Sequence, residues 1–378
     1  MSGDRHSAHG MGLEPVEPDW PPLAADEVER VLRRFPGLGP VQTISWHSPR
    51  PFSAAARVTT SVRAVIVKRH HRQVRTGAWL AEEQAFARHL HSRGAQVAAP
   101  LPDSNGQSAI ELGEWTYEVL PIAPGEDLYR DALSWTPFQS LKHAEAAGTA
   151  LARLHRASEG FDAPARKAPV LIANLAVFGQ PDPLAAIDVW SRAHPAMDRY
   201  LATRAWRADL EDTILPFQRQ LLPRLARIAP LWTHNDWHAS NLLWQGDDVA
   251  SVLDFGLADR TFALFDLATA LERNTVPWLE LDSSLSVSAD LDAVDALLAG
   301  YTRIAPLDTE AVALLADLLP VVHGDFALSE LLYFEDVVGS RANADLAYAY
   351  LVDHARWFHA PEGRRLLDHL RRWSSHHG

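Results

Sequence analysis

The stretch that decides the fold runs from Leu231 to Arg260 and reads LWTHNDWHASNLLWQGDDVASVLDFGLADR. Within it, residues 242–253 consist of two short apolar runs around a Gln-Gly-Asp-Asp turn, a pattern that predicts a β-hairpin. The hairpin returns the chain on itself, so Asp254 at its end should lie beside the loop that carries Asp236 and Asn241. The sequence therefore predicts that two carboxylates and one amide converge on one place.

This set of side chains has a chemical use. A carboxylate and an amide oxygen, here Asp254 and Asn241, are hard ligands suited to Mg²⁺, which keeps several waters and completes its shell with phosphate oxygens. A second carboxylate that does not bind the metal, here Asp236, can orient or accept the proton of an attacking hydroxyl group. The three residues are therefore candidates for a metal-assisted phosphoryl-transfer site.

The wider pattern resembles a known family. H-x-D-x-H-x-x-N from His234 to Asn241, then D-F-G at residues 254–256 and D-L-A at residues 266–268, is similar to the catalytic and metal loops of the protein-kinase-like superfamily. The second histidine resembles the aminoglycoside phosphotransferase and choline kinase branch rather than eukaryotic protein kinases. This branch commonly has glycine where Asn235 stands, although its choline kinase-like members also show H-N-D.

The resemblance implies a role for each matching residue. Asp236 matches the catalytic base, and Asn241 and Asp254 match the two Mg²⁺ ligands. His234 matches the histidine that braces the loop, and Asp266 matches the aspartate that holds the catalytic loop from behind.

Upstream, the short runs of β-branched residues from residue 41 to residue 71 predict three strands with turns between them. Lys68 lies at the end of the third strand, and an amphipathic helix follows at residues 78–94. The resemblance implies that Lys68 binds the α- and β-phosphates of ATP and pairs with a glutamate of that helix. The spacing of apolar residues favours Glu83 over Glu82 for this role.

Two further nucleotide contacts follow from the resemblance. Residues 118–122 occupy the position of the hinge, where backbone groups of residues such as Glu118 and Leu120 would meet the adenine edge. The loop expected over the phosphates, residues 47–57, reads HSPRPFSAAAR and contains no glycine. Glycine lets backbone N–H groups approach a phosphate closely, so this loop departs from the family pattern.

Composition excludes several classes of function. The 378 residues carry a formal charge of −13, which argues against binding to nucleic acids or anionic membranes. No cysteine is present, so thiolate chemistry and disulfides are excluded, and the 18 histidines show no short metal-binding spacing. The longest apolar stretch, residues 311–322, is broken by Asp317 and is expected to be too short to span a bilayer. We expect a cytoplasmic protein.

The predicted fold is α+β with two lobes, as in protein kinases. We expect a disordered tail at residues 1–22, a nucleotide-binding lobe with a small antiparallel sheet at residues 23–120, and a large helical catalytic lobe at residues 121–378. Within the second lobe, residues 207–229 predict a long helix kinked at its prolines. Six carboxylates in this lobe are candidate contacts for a cationic or hydroxylated acceptor: Glu272, Glu280, Asp325, Glu330, Glu335 and Asp336.

The predicted function is transfer of the γ-phosphate of ATP, with Mg²⁺, to the hydroxyl group of a small molecule. One alternative is a protein Ser/Thr kinase of the bacterial stress-response type. A small acceptor is favoured because no A-P-E element follows Asp254 and Asp266 arrives after only a short loop. The other alternative is a nucleotide-binding regulator without catalysis, which the glycine-free loop would suit.

Overall fold

A computed structural model gives the fold for residues 8–9 and 15–373. The chain divides into two compact units, Met1–Pro124 and Gly125–Gly378. The sequence placed this boundary after residue 120.

The first unit is built on a five-stranded antiparallel sheet with the strand order β3-β4-β5-β7-β6. Its elements are β1 (Ala8–His9), β2 (Pro15–Val16), α1 (Ala25–Leu32), β3 (Val41–His47), β4 (Ala54–Thr60), β5 (Ala64–His71), α2 (Gly77–Ser92), β6 (Ile110–Leu112) and β7 (Trp115–Pro121). The three strands predicted upstream of residue 71 are confirmed as β3, β4 and β5. The glycine-free segment joins β3 to β4, as expected.

The two faces of this sheet have different coverings because side chains alternate along each strand. On one face, Val65 and Val67 of β5 pack in a hydrophobic core with Val28 and Val31 of α1. The alternate residues of β5, Lys68 among them, face α2 instead. The sheet therefore carries an apolar core on one side and a row of polar strand residues on the other.

The disorder predicted for residues 1–22 falls largely outside the described residues. Near the end of this segment, the ring of Trp20 stacks on His71 at a centroid distance of 4.6 Å. The carbonyl of Pro21 accepts a hydrogen bond from Arg69. The chain is therefore attached to the sheet from at least Trp20 onward.

The second unit is mostly helical. Its helices are α3 (Leu141–Ser158), α4 (Pro183–Arg192), α5 (Pro195–Leu201), α6 (Trp206–Thr213), α7 (Leu215–Leu225), α8 (Ala263–Thr275), α9 (Leu291–Thr302), α10 (Thr309–Leu332), α11 (Arg341–Trp357) and α12 (Pro361–Arg372). Its strands form two short antiparallel pairs: β8 (Leu231–Thr233) with β11 (Asp259–Thr261), and β9 (Leu242–Gln245) with β10 (Asp248–Val252).

Helix α10 is the centre of this unit and packs against α7, α8, α11 and α12. The expectation that its apolar stretch is too short to span a bilayer is wrong on length and composition alone, since the helical segment Thr309–Val338, which contains α10, is long and apolar enough to cross a membrane. It is buried along nearly all of its length by the surrounding helices, as the central helix of a helical core is. Asp317 does not interrupt it, because Arg224 and Arg371 pair with its carboxylate.

The predicted helix at residues 207–229 is also corrected. The structure forms two helices, α6 and α7, which meet at Ile214. Pro216 lies in the first turn of α7, where its missing N–H has no intrahelical partner to lose, so the proline starts a helix instead of kinking one.

Candidate active site

The predicted hairpin is confirmed as β9 and β10, and it brings the two loops together. The backbone N–H of Leu253 donates to the carbonyl of Asn241 at 2.8 Å, which places Asp254 next to the loop that holds Asp236. At the far end of the hairpin, Trp244 exchanges two backbone hydrogen bonds with Glu126, at 2.7 and 2.8 Å. The hairpin is therefore anchored at both ends.

The residue before Asp236 has an unusual backbone. Asn235 has a φ of 61°, in the left-handed region that asparagine tolerates better than most residues. Its side-chain oxygen accepts hydrogen bonds from the hydroxyl groups of Thr233 and Thr261, at 2.7 and 3.2 Å. A left-handed conformation explains why glycine or asparagine stands here, and the two threonines fix the turn that presents Asp236.

Asp266 holds this turn from behind, as predicted. Its two carboxylate oxygens accept the backbone N–H groups of His234 and Asn235, both at 2.8 Å. His155 donates a third hydrogen bond from Nε2 at 3.0 Å. Asp266 is fully buried in the first turn of α8, where a negative charge is favoured by the helix dipole.

His234 links the two loops through both ring nitrogens. Nε2 lies 2.8 Å from the carbonyl oxygen of Leu253, and Nδ1 lies 3.2 Å from the backbone N–H of Asp236. Because a carbonyl only accepts and an N–H only donates, the hydrogen of this imidazole must be on Nε2. The bracing role implied for His234 is thus met by hydrogen bonds to both loops.

The carboxylate of Asp236 is surrounded by donors and cations. Nδ2 of Asn241 donates to Oδ2 at 3.1 Å, and Nε2 of His238 lies 3.5 Å from the same oxygen. A guanidinium nitrogen of Arg273 lies 3.6 Å from Oδ1. Burial alone would raise the pKa of Asp236, but His238 and Arg273 outweigh it and hold the pKa below its ordinary range. The group is therefore an ionised carboxylate at neutral pH, as a hydrogen-bond acceptor for a hydroxyl must be.

Asp254 is exposed and also has a left-handed backbone, with a φ of 54°. Its Oδ1 accepts the N–H of Gly256 at 3.2 Å, which orients the carboxylate at the start of the D-F-G turn.

The donor set fits a magnesium ion. Asn241 gives its Nδ2 to Asp236, so its Oδ1 is turned away from that carboxylate and remains an oxygen donor. An amide oxygen and an exposed carboxylate on adjoining backbone segments match the sparse protein shell that Mg²⁺ uses beside phosphates. Asn241 and Asp254 are the residues that would hold the ion.

In the first unit, Lys68 is half-buried on β5 and stands directly opposite Glu118 of β7. Glu118 also lies 3.4 Å from Nε2 of His70 and accepts a hydrogen bond from Gln84 of α2 at 3.0 Å. Burial opposes ionisation of Glu118, but His70 and Lys68 keep the pKa of this carboxyl below its ordinary value. Lys68 therefore faces α2 beside the buried carboxylate of Glu118. The sequence analysis predicted only a backbone role for Glu118, as an adenine contact.

The other predicted nucleotide contacts belong to the same sheet and helix as Lys68 and Glu118. Glu83 is on the buried face of α2, whereas Glu82 is only half-buried, as the apolar spacing indicated. A carboxylate oxygen of Glu83 lies 3.7 Å from Nε of Arg75. Leu120 is half-buried on β7 opposite Ile66. The pairing of Glu83 with Lys68 and the adenine contacts of Glu118 and Leu120 stay predictions.

Sequence reasoning missed two residues of α8 that contact the catalytic loop. Arg273 reaches Asp236, and Asn274 bonds to the carbonyl of Trp237 at 2.8 Å and to the N–H of Ala239 at 2.9 Å. Both lie two turns after Asp266, and this seven- to eight-residue helical spacing was the available signal.

A second omission is the support of the D-F-G turn. Arg166 donates to the carbonyl of Gly256 at 2.7 Å and to that of Ala258 at 3.2 Å. Asp259 in turn accepts the backbone N–H of Arg166 at 2.8 Å and the side chain of Asn174 at 2.7 Å. No motif marks the segment that contains Arg166, so its contact could not be read from the sequence.

The six candidate acceptor contacts have different surroundings. Asp325 is buried and accepts the backbone N–H groups of Val177 and Phe178, at 2.7 and 3.3 Å, so it supports a turn. Asp336 pairs with His194 at 3.2 Å. Glu272 is buried beside Arg273, with Oε2 at 3.5 Å from Nε, and the same arginine reaches the carboxylate of Asp236. Of these three, Glu272 is the one linked to Asp236.

Comparison with solved structures supports the fold. Among solved structures, an aminopropanol kinase associated with a microcompartment superposes with a TM-score of 0.58 at 16% identity, covering 92% of this chain and 99% of that one. An amicoumacin kinase in complex with AMP-PNP, Ca²⁺ and amicoumacin superposes with a TM-score of 0.55 at 16% identity, covering 92% and 95%. The fold is thus the two-lobed α+β fold of small-molecule kinases.

The profile of the phosphotransferase enzyme family matches residues 51–307, and the chain belongs to this family. A homoserine kinase of Sinorhizobium medicae is 28% identical over 228 residues, which are 59% of this chain and 59% of that protein. The matched part therefore spans less than two thirds of this relative's own length.

Proposed function

We propose that this protein transfers the γ-phosphate of ATP to a hydroxyl group of a small molecule in the cytoplasm, with Mg²⁺ as the metal. The observation that carries the proposal is the state of Asp236. Its carboxylate is ionised, 18% exposed, and fixed by an amide, an imidazole and a guanidinium. That arrangement suits the orientation of an acceptor hydroxyl for in-line attack on a phosphoryl group.

In this mechanism the side chains position the acceptor hydroxyl and neutralise the charge of the phosphates; they form no covalent bond with the substrate. Asp236 accepts a hydrogen bond from the acceptor hydroxyl and directs its oxygen at the phosphorus. Asn241 and Asp254 would hold the magnesium ion, which would supply positive charge to the phosphate oxygens. We assign to Lys68 the charge contact with the non-transferring phosphates. Positioning and electrostatic stabilisation provide most of the rate in phosphoryl transfer, so little covalent participation is required.

A small acceptor is favoured over a protein acceptor by the length of the segment after Asp254. Only residues 255–262, including the whole of β11, separate Asp254 from the first residue of α8. This leaves little chain for a peptide-docking platform of the kind that protein kinases build after their metal loop. The relatives named above act on homoserine, aminopropanol and amicoumacin, which supports the same choice.

The test is an ATP-consumption screen over a panel of hydroxylated amines, amino acids, sugars and antibiotics, with homoserine and aminopropanol included. We expect acceptor-dependent ADP release that requires Mg²⁺ and yields a phosphorylated small molecule, detected by mass spectrometry. Phosphate appearing on added protein and on no small molecule would reverse the choice of acceptor. A thermal shift with Mg-ATP but no turnover over the whole panel would favour a regulator.

A further inference from the structure

A cluster of titratable side chains lies in the helical unit, apart from the predicted magnesium ligands. Glu272 of α8, His323 of α10 and His354 of α11 offer ligand atoms that all lie within 4.8 Å of one another. All three residues are buried, with exposed fractions of 1%, 6% and 2%.

The cluster contains polar atoms without partners. Both ring nitrogens of His323, both of His354 and Oε1 of Glu272 are buried and make no hydrogen bond. Nδ1 of His354 lies 3.7 Å from this Oε1, which is too far for a hydrogen bond. Buried donors and acceptors are nearly always satisfied, so five such atoms in one cluster, with one ligand atom of each residue within 4.8 Å of the others, require an explanation.

We propose that Glu272, His323 and His354 form a buried binding site for a divalent transition-metal ion of the Zn²⁺ type. Two imidazoles and one carboxylate are a known three-residue ligand set for Zn²⁺, with a fourth position left for water. At metal–ligand distances of about 2.0–2.1 Å, neighbouring donors in a tetrahedral shell lie about 3.4 Å apart. The observed 3.7 Å between Glu272 and His354 is close to that spacing.

The ionisation states suit a metal. Burial and nearby positive charge lower the pKa of His323 and of His354 to about 3, so both imidazoles are neutral, the form that binds metals. Burial also raises the pKa of Glu272, which a bound cation would reverse. Arg273 lies on the other oxygen, Oε2, so the carboxylate stands between the guanidinium and the proposed ion.

Aromatic rings surround the cluster. The ring of Trp278 stacks on His354 at 4.1 Å, and Trp135 meets His323 edge-on at 5.5 Å. An apolar shell of this kind limits the access of bulk solvent to a metal site. Imidazole nitrogen favours Zn²⁺, Co²⁺ or Ni²⁺ over Mg²⁺, so this site and the predicted magnesium site differ in metal preference.

The experiment uses the full chain without an affinity tag, stripped with a chelator and kept in excess Mg²⁺ to saturate hard-oxygen sites. Co²⁺ is titrated by visible absorption and Zn²⁺ by calorimetry. We expect one ion per chain, ligand-field bands of four-coordinate Co²⁺, and an X-ray absorption shell of nitrogen and oxygen at about 2.0–2.1 Å with Zn²⁺.

The variants His354→Gln and Glu272→Gln should each weaken Zn²⁺ binding by at least about 100-fold. His369→Gln is the matched control, because His369 also pairs with a carboxylate, Asp295 at 2.8 Å, but lies outside the cluster. It should bind Zn²⁺ like the wild type. If His354→Gln does not fold, Glu272→Gln and the absorption spectrum of the wild type decide.

Two outcomes would overturn the proposal. The first is that stripped wild-type protein binds neither Co²⁺ nor Zn²⁺ in the presence of Mg²⁺. The second is that His354→Gln and Glu272→Gln bind as the wild type does, which would assign the metal to surface histidines. Neither measurement depends on phosphoryl transfer, so the proposal can fail while the proposed function stands.

Discussion

Asp266 is the residue through which the helical unit fixes its catalytic loop. Its carboxylate accepts two backbone N–H groups, those of His234 and Asn235, directly before Asp236. The side chain itself does not contact Asp236, so we regard Asp266 as a positioning residue.

Replacing Asp266 with asparagine puts an NH₂ group where one carboxylate oxygen now accepts. That NH₂ group would then face a backbone N–H group, and two donors would meet without an acceptor. We expect Asp266→Asn to reduce the free energy of unfolding by about 1–3 kcal/mol, because a buried donor loses its acceptor. The kcat should fall more than the KM for ATP rises, since the loop that presents Asp236 is displaced. Urea unfolding and steady-state kinetics measure both. Asp295→Asn, which alters an exposed pair with His369, should change neither.

Glu27 is a buried carboxylate of the sheet unit with several hydrogen-bond donors around it. Its carboxylate accepts hydrogen bonds from Arg69 at 2.8 and 2.9 Å and from the hydroxyl of Tyr117 at 2.6 Å. Burial would raise the pKa of Glu27, but Tyr117 and Arg69 together lower it below the reference value of 4.5. A carboxyl whose pKa is lower in the folded state stabilises the fold above its unfolded pKa, and this contribution is lost as the pH falls.

Glu27→Gln should therefore destabilise the protein at pH 7 by about 3 kcal/mol, because Arg69 is left buried without its counter-charge. The difference from the wild type should shrink as the pH falls from 4.5, where the carboxyl of the unfolded chain takes up a proton, through the lower pKa of the folded state, where the native carboxyl also becomes neutral. Chemical unfolding followed over a pH series tests this. Asp26→Asn on the same helix, an exposed partner of Arg30 at 3.9 Å, should leave stability unchanged. A gap that is constant with pH would contradict the account.

The residues that could be predicted from the sequence and those that could not differ in their separation along the chain. Asp236, Asn241 and Asp254 belong to one 19-residue segment and flank the hairpin β9–β10, so local pattern and turn chemistry were enough to predict that they come together. Glu272, His323 and His354 come from three helices and meet only through packing. Their separation along the chain leaves no motif.

At the scale of elements, α3 packs so closely against α9 that the contact requires a glycine on each helix. A Cβ atom built on Gly300 would lie 1.9 Å from the carbonyl oxygen of Glu145, and one on Gly148 would lie 2.0 Å from that of Leu297. The neighbouring atoms are backbone, so they cannot rotate away. Thr149 adds a hydrogen bond to the carbonyl of Gly300 at 3.0 Å.

We expect Gly300→Ala to destabilise the helical unit by about 1–3 kcal/mol or more, because the two helices must separate. Gly148→Ala should do the same, and the double variant should lose less than the sum, since both changes open one contact. Gly37→Ala is the control, as nothing lies within 4 Å of its added methyl group. Thermal unfolding of the four variants measures these effects, and additive losses would contradict a shared contact.

The accuracy of element prediction depended on how local the signal was. The hairpin β9–β10 and the strands β3, β4 and β5 followed from alternation and turn residues. The single helix at residues 207–229 was wrong because proline can begin a helix as well as kink one, and the choice depends on where the chain turns. The apolar stretch of residues 311–322 was expected to be broken at Asp317, but arginines distant in sequence pair with that carboxylate.

At the scale of the molecule, the sequence predicted the α+β class because strand patterns dominate before residue 121 and helical patterns dominate after it. The family match over residues 51–307 includes segments of both kinds. The identity of the proposed acceptor was not predictable, since we expect its contacts on packed helices after residue 270, which carry no motif. The polar contacts found there, those of Glu272 and Arg273, became visible only in three dimensions.

The central claim is that Asp236 orients a small-molecule hydroxyl for attack on ATP. The measurement that tests it most directly is transfer of radiolabelled γ-phosphate to an acceptor found in the screen, by the wild type and by Asp236→Asn, with Mg²⁺. Asp247→Asn, which alters an exposed carboxylate in the hairpin turn, is the matched control. We predict that Asp236→Asn lowers kcat by about 10²–10⁴-fold while ATP binding is nearly unchanged and the control transfers phosphate normally. Equal turnover by Asp236→Asn and the wild type would contradict the account.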